Sequence, residues 1–368
     1  MNRESFSGSR SLVPAVSPGD LAVVVGAGVS GLAASRLLAV LGARVRLLER
    51  REANVPVAFR EEAAASGIEI VCGEHRPEDF AGARLVVPSP GVAAASIRPF
   101  LSAPDAIRDT PEIMAETELA WRELQGEAVL AVTGTSGKTT TTSLCAAMLE
   151  AQGFRVFTGG NIGTPLSTYI LERRAGSPKA DIVALELSSF QLQTCSTLRP
   201  HVAVLMNISE NHLDYHADME EYVSAKMRLF ARQGPEDVAV LHRGMDELAA
   251  HYKLKARIVW HDTPTSREDL ARFSGIRLLG PHNLANAQAA WLACREFGVA
   301  EQAAVRATAA FRPLEHRLER VGERNGVLFV NDSKCTTVEA LRVALNAFDG
   351  AILLLAGGKF KGGDLAAL

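Results

Sequence analysis

One arrangement recurs along the chain and restricts what it can become: a short run of Val, Leu, Ile and Ala, a glycine-rich or polar turn, then a helical pattern. LAVVVGAG, RVRLLER, RLVVPSPG, AVLAVTG, DIVALELSS, HVAVLMNIS, GVLFVNDS and AILLLAGG are examples. The runs are apolar throughout and do not alternate, so each predicts a strand buried on both faces, as in a parallel sheet covered by helices. The fold class is therefore α/β. At 368 residues the chain exceeds one ordinary core, and two or three domains are expected. A helix and polar break at TPEIMAETELAWRELQGE (110–127) and a charged connector at AAFRPLEHRLERVGERNG (309–326) supply the boundaries.

Composition removes several classes of function. Hydrophobic residues at 47% and charged residues at 22% describe a globular chain. A net charge of -3 gives no electrostatic case for nucleic acid. Cys72, Cys145, Cys195, Cys294 and Cys335 are scattered with no C-x-x-C pair, which suits free thiols in a reducing compartment better than disulfides or zinc. No apolar run approaches the roughly 18 residues that span a bilayer. Residues 1–20 lack the apolar core of a signal peptide and read as a flexible extension, so a cytoplasmic protein is expected.

The unusual polar residues fall just after the apolar runs: Ser89 and Gly91, Lys138, Glu186, Asn207 to His212, Asp332 to Lys334, and Lys359 to Lys361. In open α/β sheets ligands bind at these carboxyl ends. Two of the turns are rich in glycine. Gly26-Ala27-Gly28-Val29-Ser30-Gly31 matches G-x-G-x-x-G, and Glu49 closes the next strand where an acid can accept a ribose hydroxyl. The turn alone leaves open a dinucleotide, another nucleotide phosphate, or a purely structural role.

The second turn, TGTSGKTTTT, carries a complete Gly137-Lys138-Thr139, but Val132 stands where a full P-loop has its first glycine and Gly134 replaces it closer in. The logic of a P-loop survives the shortening. Backbone N–H groups along Gly134, Thr135, Ser136, Gly137, Lys138, Thr139 and Thr140 cradle ATP phosphates, Lys138 reaches the terminal ones, and Thr139 suits Mg²⁺. Glu186 emerges from an apolar strand as a further metal ligand, with His212 in the next such loop; Asp214 is either a ligand or a turn cap. Mg²⁺ prefers oxygen, so a histidine ligand suggests a second, more tolerant divalent site.

In order, TGTSGKTTTT, GGNIGTPL, ELSSFQL, NISENHLDYH with YVSAKMRLF, GPHNLANAQAA, LEHRLERV and NDSKCTT resemble the Mur ligases, the ATP-dependent family that builds the peptidoglycan stem peptide. VVGAGVSGLAASRLL, PSPGV and ELSSFQL look most like its D-glutamate-adding branch. The resemblance runs from about residue 20 to the end. It implies a Rossmann-like domain at 21–117, a central P-loop ATPase-like domain with a parallel sheet at 118–313, and a partial Rossmann-like domain at 314–368.

The same resemblance implies the substrates: UDP-N-acetylmuramoyl-L-alanine, D-glutamate and ATP, with Mg²⁺ at two sites. Gly26, Gly28, Ser30 and Gly31, with Ser89 and Gly91, would hold the UDP diphosphate, not NAD, and Asn161 would touch the sugar. Lys138, Glu186, His212 and Lys226 would be the catalytic set. Lys226 matches a lysine that the family carbamylates, which would turn a cation into an anionic metal ligand; the residue by itself reads as a snorkelling surface lysine. Asn283, Arg317 and Asp332 match ATP contacts, while His316 matches a position of less clear role. Lys334 and Thr336 would surround the incoming D-glutamate, and Lys361 would pair with its carboxylate. A monomer is expected.

Sibling ligases adding L-alanine or a diamino acid, a folylpolyglutamate synthase-like enzyme, and a non-catalytic nucleotide-binding chain remain as alternatives. The last arises because residues 314–368 give about half the length that family members carry there. An incomplete third domain, UDP-sugar binding with poor ligation of D-glutamate, and an exposed strand edge are the resulting expectations.

Overall fold

A computed structural model describes residues 13–101, 110–212 and 215–358. Asp214, Lys359, Lys361 and the first part of the expected N-terminal extension lie outside the described residues. The end of that extension is packed against the body, since Ala15 and Val16 are buried and the Gly19 N–H donates to the Gly42 carbonyl.

The first sheet is built from β1 (Leu21–Val25), β2 (Arg44–Glu49), β3 (Glu69–Cys72), β4 (Ala83–Pro88) and β5 (Glu112–Ile113), in the order β3-β2-β1-β4-β5 and parallel throughout. Helices α1 (Val29–Val40), α2 (Val57–Ser66) and α3 (Ala94–Leu101) make the crossovers. Strand β1 is buried almost end to end, as its unbroken LAVVV requires.

Helix α4 (Glu116–Trp121) contains the expected 117/118 boundary, and all six of its residues are buried. It packs on both α1 and the later helix Leu166–Arg174. Its carboxylates are satisfied by central-domain backbone: Glu116 accepts from the Ser167 N–H at 2.6 Å, and Glu118 from those of Thr197 and Leu198 at 2.8 and 3.0 Å. Buried acids with such partners fix the two sheets to one another instead of leaving a loose linker.

The central sheet has the order β11-β10-β9-β6-β8-β7, again parallel. Its strands are β6 (Ala128–Thr133), β7 (Val156–Gly160), β8 (Ile182–Glu186), β9 (Val202–Leu205), β10 (Val238–His242) and β11 (Arg257–His261). Its helices are α5 (Lys138–Ala151), α6 (Leu166–Arg174), α7 (Ser189–Leu192), α8 (Met219–Met227), α9 (Asp246–His251), α10 (Arg267–Arg272), α11 (Pro281–Cys294) and α12 (Glu301–Ala310). One core joins the sheet to α5, α11 and α12; a second joins its other face to α6 and runs on into the first domain. The α/β class holds.

Beyond residue 318 the order changes. Strands β12 (Glu319–Arg324) and β13 (Val327–Asn331) form an antiparallel hairpin, followed by α13 (Val338–Leu345). The charged connector read from the sequence is thus partly a strand. Asn325 and Gly326, at φ 52 and 75°, form a two-residue turn that matches hairpin twist. AILLLAGG, expected as a strand, forms none: Leu353 and Leu355 are each 90% exposed. Among the described residues β12 and β13 pair only with each other, and this apolar run joins neither of them. No described helix is long and apolar enough to cross a membrane.

Candidate active site

Both glycine turns lie between a strand and the N-terminus of a helix that no side chain caps. At the first, Gly26 takes φ +97°, and a Cβ on Gly31 would sit 2.0 Å from the Gly26 carbonyl oxygen and 2.7 Å from Ser89 Oγ. Only glycine lets α1 approach its strand so closely. Ser89 Oγ donates to the Gly26 carbonyl at 2.9 Å, so the loop after β4 braces the turn. Gly28 and Gly91 are exposed, and Ser30 is half-buried.

Glu49 is placed differently from the ribose reading. Its carboxylate turns inward, accepting from the Ala27 N–H at 2.8 Å, the Arg51 N–H at 3.1 Å and Asn54 Nδ2 at 2.9 Å. Burial raises its pKa, but these donors outweigh burial and hold the carboxyl below its usual range. It is a brace under the turn.

At the second turn Gly134 and Gly137 adopt φ +148 and +80°. Asn207, just past β9, accepts through Oδ1 from the Thr135 and Ser136 N–H groups at 3.1 and 2.8 Å. Lys138 Nζ folds back onto the carbonyls of Gly134 and Thr135 at 3.0 and 2.9 Å. Thr139 Oγ1 accepts from Arg317 Nη2 at 3.0 Å, which brings the segment before β12 onto the P-loop. Thr140 is half-buried in the first turn of α5.

The charged groups converge below this loop. Glu186 is 2% exposed; its Oε1 accepts from Asn161 Nδ2 at 2.7 Å, and its buried Oε2 has no hydrogen-bond partner. Lys226, also 2% exposed, donates to the Gly134 carbonyl at 2.8 Å and lies 4.5 Å from the centroid of the Tyr222 ring. Burial, and next the charge of Lys138, pull its pKa well below the ordinary lysine range, with Glu186 opposing. Burial also lowers Lys138, which Glu186 partly offsets and Arg317 reinforces. His212 is exposed, at φ 57°, with its ring centroid 4.7 Å from that of Phe190. No group of three His, Cys, Asp or Glu side chains suited to a metal occurs among the described residues.

Two family models match this framework, "Mur ligase middle domain" over residues 132–294 and "Mur ligase MurD-like, N-terminal domain" over 20–103. The UDP-N-acetylmuramoylalanine–D-glutamate ligase of Nitratidesulfovibrio vulgaris (strain DP4) is 61% identical over 353 residues, covering 96% of this chain and 78% of that protein. The chain belongs to the Mur ligase family. The enzyme of the same name from Lawsonia intracellularis is 53% identical over 94% of this chain and 75% of its own length. Solved Mur ligases agree in fold: MurF from Thermotoga maritima, in complex with ADP, has a TM-score of 0.52 at 18% identity, covering 94% of this chain and 77% of that one. UDP-N-acetylmuramate:L-alanyl-gamma-D-glutamyl-meso-diaminopimelate ligase from Neisseria meningitides has 0.53 at 18% identity, covering 81% and 99%. The protein is a Mur ligase of the UDP-N-acetylmuramoylalanine–D-glutamate type, an ATP-dependent enzyme of peptidoglycan precursor synthesis.

The remaining site residues of this Mur ligase divide into two sets. Asn283 is buried at the start of α11, donating to the Leu279 carbonyl at 2.7 Å, and its Oδ1 accepts from Asn286 Nδ2 at 3.0 Å. Asn286 also stands where a Cβ on Gly137 would meet its Oδ1 at 2.5 Å, so α11 is packed directly on the P-loop. Asp332 is spent on the Leu318 N–H at 3.0 Å, and His316 Nδ1 lies 2.8 Å from Asn331 Nδ2. Lys334 and Thr336 stand exposed between β13 and α13, and the Lys334 N–H donates to the His316 carbonyl at 3.2 Å. Sequence reasoning gave no role to Asn207, Asn286 or Tyr222. Asn207 had a signal in its place directly after a strand; the other two are recognisable only from what they touch.

Proposed function

We propose that this Mur ligase joins D-glutamate to the L-alanyl carboxylate of UDP-N-acetylmuramoyl-L-alanine, in the cytoplasm where ATP is made, and that its two glycine turns divide the work. The turn at Gly26–Gly31, braced by Ser89 and Glu49, holds the UDP diphosphate through backbone N–H groups and the N-terminus of α1. Asn161, bonded to Glu186, meets the sugar end where the two domains adjoin. The P-loop and Asn283, Arg317 and Asp332 hold ATP.

The L-alanyl carboxylate oxygen attacks the γ-phosphorus, the bond to ADP breaks, and an acyl phosphate forms. The D-glutamate amine then attacks the acyl carbon, loses its proton, and phosphate leaves with its bonding electrons. Little of this needs covalent help from the protein; it needs positioning and neutralisation of phosphate charge. Lys138, released from the Gly134 and Thr135 carbonyls, supplies one mobile cation. Lys334, Thr336 and Lys361 are assigned to D-glutamate.

The observation that carries the metal assignment is Glu186 Oε2, a buried oxygen with no partner, which suits a cation. Thr139, Glu186, His212 and a carbamylated Lys226 would hold Mg²⁺ at two sites, with ATP oxygens completing them, and the metal would add charge neutralisation at the phosphates. The depressed pKa of Lys226 supports the carbamate, because only the neutral amine attacks CO₂. The test is phosphate release with ATP, Mg²⁺ and UDP-N-acetylmuramoyl-L-alanine. D-glutamate should stimulate it, and L-alanine, L-glutamate or a diamino acid should not; equal stimulation by L-alanine would overturn the assignment.

A further inference from the structure

His216 has no part in the mechanism above, yet it touches segments next to three of the four metal-assigned groups, Glu186, His212 and Lys226. It is 2% exposed, and its Nε2 is hydrogen-bonded to Ser189 Oγ at 2.9 Å. Ser189 opens α7, three residues after Glu186 on the same strand-to-helix segment. The His216 N–H donates to the carbonyl of His212, the residue with the left-handed φ, at 2.9 Å. The His216 ring also packs against Tyr222, at 5.4 Å between centroids, and Tyr222 lies under the Lys226 ammonium while its hydroxyl reaches Thr135 Oγ1 at 2.9 Å. The Phe190 and Tyr215 rings lie 5.7 and 5.0 Å from it between centroids. The neighbouring Glu221 ties the same elements from the other side, accepting from the Ala217 N–H and Gln193 Nε2, both at 2.7 Å.

Ser189, distant in sequence, and the Tyr222 ring thus meet on one imidazole, while the backbone N–H of the same residue holds the His212 carbonyl. A left-handed backbone at a non-glycine residue is costly and persists only where its surroundings over-determine it. Groups that orient ligands from behind commonly change metal affinity by 10–100-fold when removed. We propose that His216 is a positioning residue, whose ring sets Glu186 and Lys226 relative to one another through Ser189 and the Tyr222 ring, while its backbone N–H holds His212 beside them. This rests on the metal assignment above.

The test measures Mn²⁺ binding by electron paramagnetic resonance, with a non-hydrolysable ATP analogue, beside steady-state kinetics of the whole chain. His216→Ala should weaken Mn²⁺ binding and lower kcat, each by about 10-fold or more, while KM for the UDP-sugar changes by less than about twofold. His216→Gln, whose amide can reach Ser189, should recover most of the loss. Ser189→Ala should reproduce part of it in a chain that keeps the ring. The double variant should then add little to His216→Ala, because one interaction is broken twice. Unchanged Mn²⁺ affinity in either His216→Ala or Ser189→Ala, or a Gln variant no better than Ala, overturns the proposal. Glu186→Gln separates the two ideas. If it leaves Mn²⁺ binding intact, the metal assignment fails; if it abolishes binding while the His216 variants do not, only the role of His216 fails.

Discussion

At Gly26–Gly31 an apolar strand enters a glycine loop and then a 12-residue helix; at Gly134–Thr139 the same plan leads into a helix of 14 residues. What differs is the support beneath each loop. The first rests on a carboxylate, Glu49, which occupies one loop N–H and lowers the local positive potential. The second rests on the neutral amide of Asn207 and has Lys138, Lys226 and Arg317 within reach. A loop over an anion can hold a diphosphate through its backbone, whereas one surrounded by mobile and buried cations can also stabilise charge that moves during phosphoryl transfer. Similar local sequence therefore serves holding in one domain and chemistry in the other, and residues far away in the chain decide which.

Lys138→Ala is expected to produce the largest separation. Removing the cation should slow ATP-dependent phosphate release by ~10²–10³, while the dissociation constant of the UDP-sugar, read by calorimetry, stays within about twofold. Equal loss of UDP-sugar and ATP binding would show that the two loops do not act separately.

Gly31→Ala reverses the comparison. The new methyl must displace the Gly26 carbonyl and Ser89 Oγ, so α1 moves off its strand. Overpacking of this kind costs about 1–3 kcal/mol, and UDP-sugar affinity should fall while ATP-analogue affinity is kept. A variant with native thermal stability and native UDP-sugar binding would mean that the close approach is not required.

Glu49→Gln should cost less, about 1–2 kcal/mol, because an amide oxygen can still accept from Ala27 but without charge assistance. Its sign against pH is fixed by the depressed folded pKa. The carboxylate's contribution is present above the pKa of the unfolded chain and is lost as pH falls through the folded value. The wild type should therefore shed stability on acidification that the Gln variant never had. Parallel acid-denaturation curves for the two would show that Glu49 carries no such linkage.

Much of this was legible in the sequence where signals were local. Strands buried on both faces write themselves as unbroken Val/Leu/Ile runs, and both glycine loops follow from the backbone they require. Signals that depend on pairing were not. AILLLAGG has strand composition but pairs with no strand, while ERVGER, which reads as a solvated connector, becomes a strand because Asn325-Gly326 folds it back on β13. Lys226 sits in MEEYVSAKM, a segment polar enough for any surface helix; its burial comes from Gly134, far away in sequence. Glu49 stood at the right place for a ribose and was turned inward by the Ala27 N–H.

The last effect concerns Lys226 and has the same sign against pH as that of Glu49, in a more alkaline window. In the metal-free, CO₂-free protein the folded pKa of Lys226 is depressed, first by burial and then by Lys138. Between that value and the ordinary lysine value the unfolded chain holds a proton that the folded chain does not. Stability must then rise with pH across this window, by at most about 1.4 kcal/mol per pH unit for one proton. Lys226→Met keeps the buried stem and removes the titration, so its urea-denaturation midpoints between pH 7 and 9, with pH as the controlled variable, should rise less steeply than the wild type's. Bicarbonate should stabilise the wild type further, since a ligand that adds only to the folded state raises stability in proportion to RT ln(1 + [L]/Kd), and should leave the Met variant unchanged. Identical slopes, with no bicarbonate effect in either protein, would mean that Lys226 stays charged in the fold. The second loop would then lie over a permanent cation, and its contrast with the carboxylate under the first would be one of fixed charge alone.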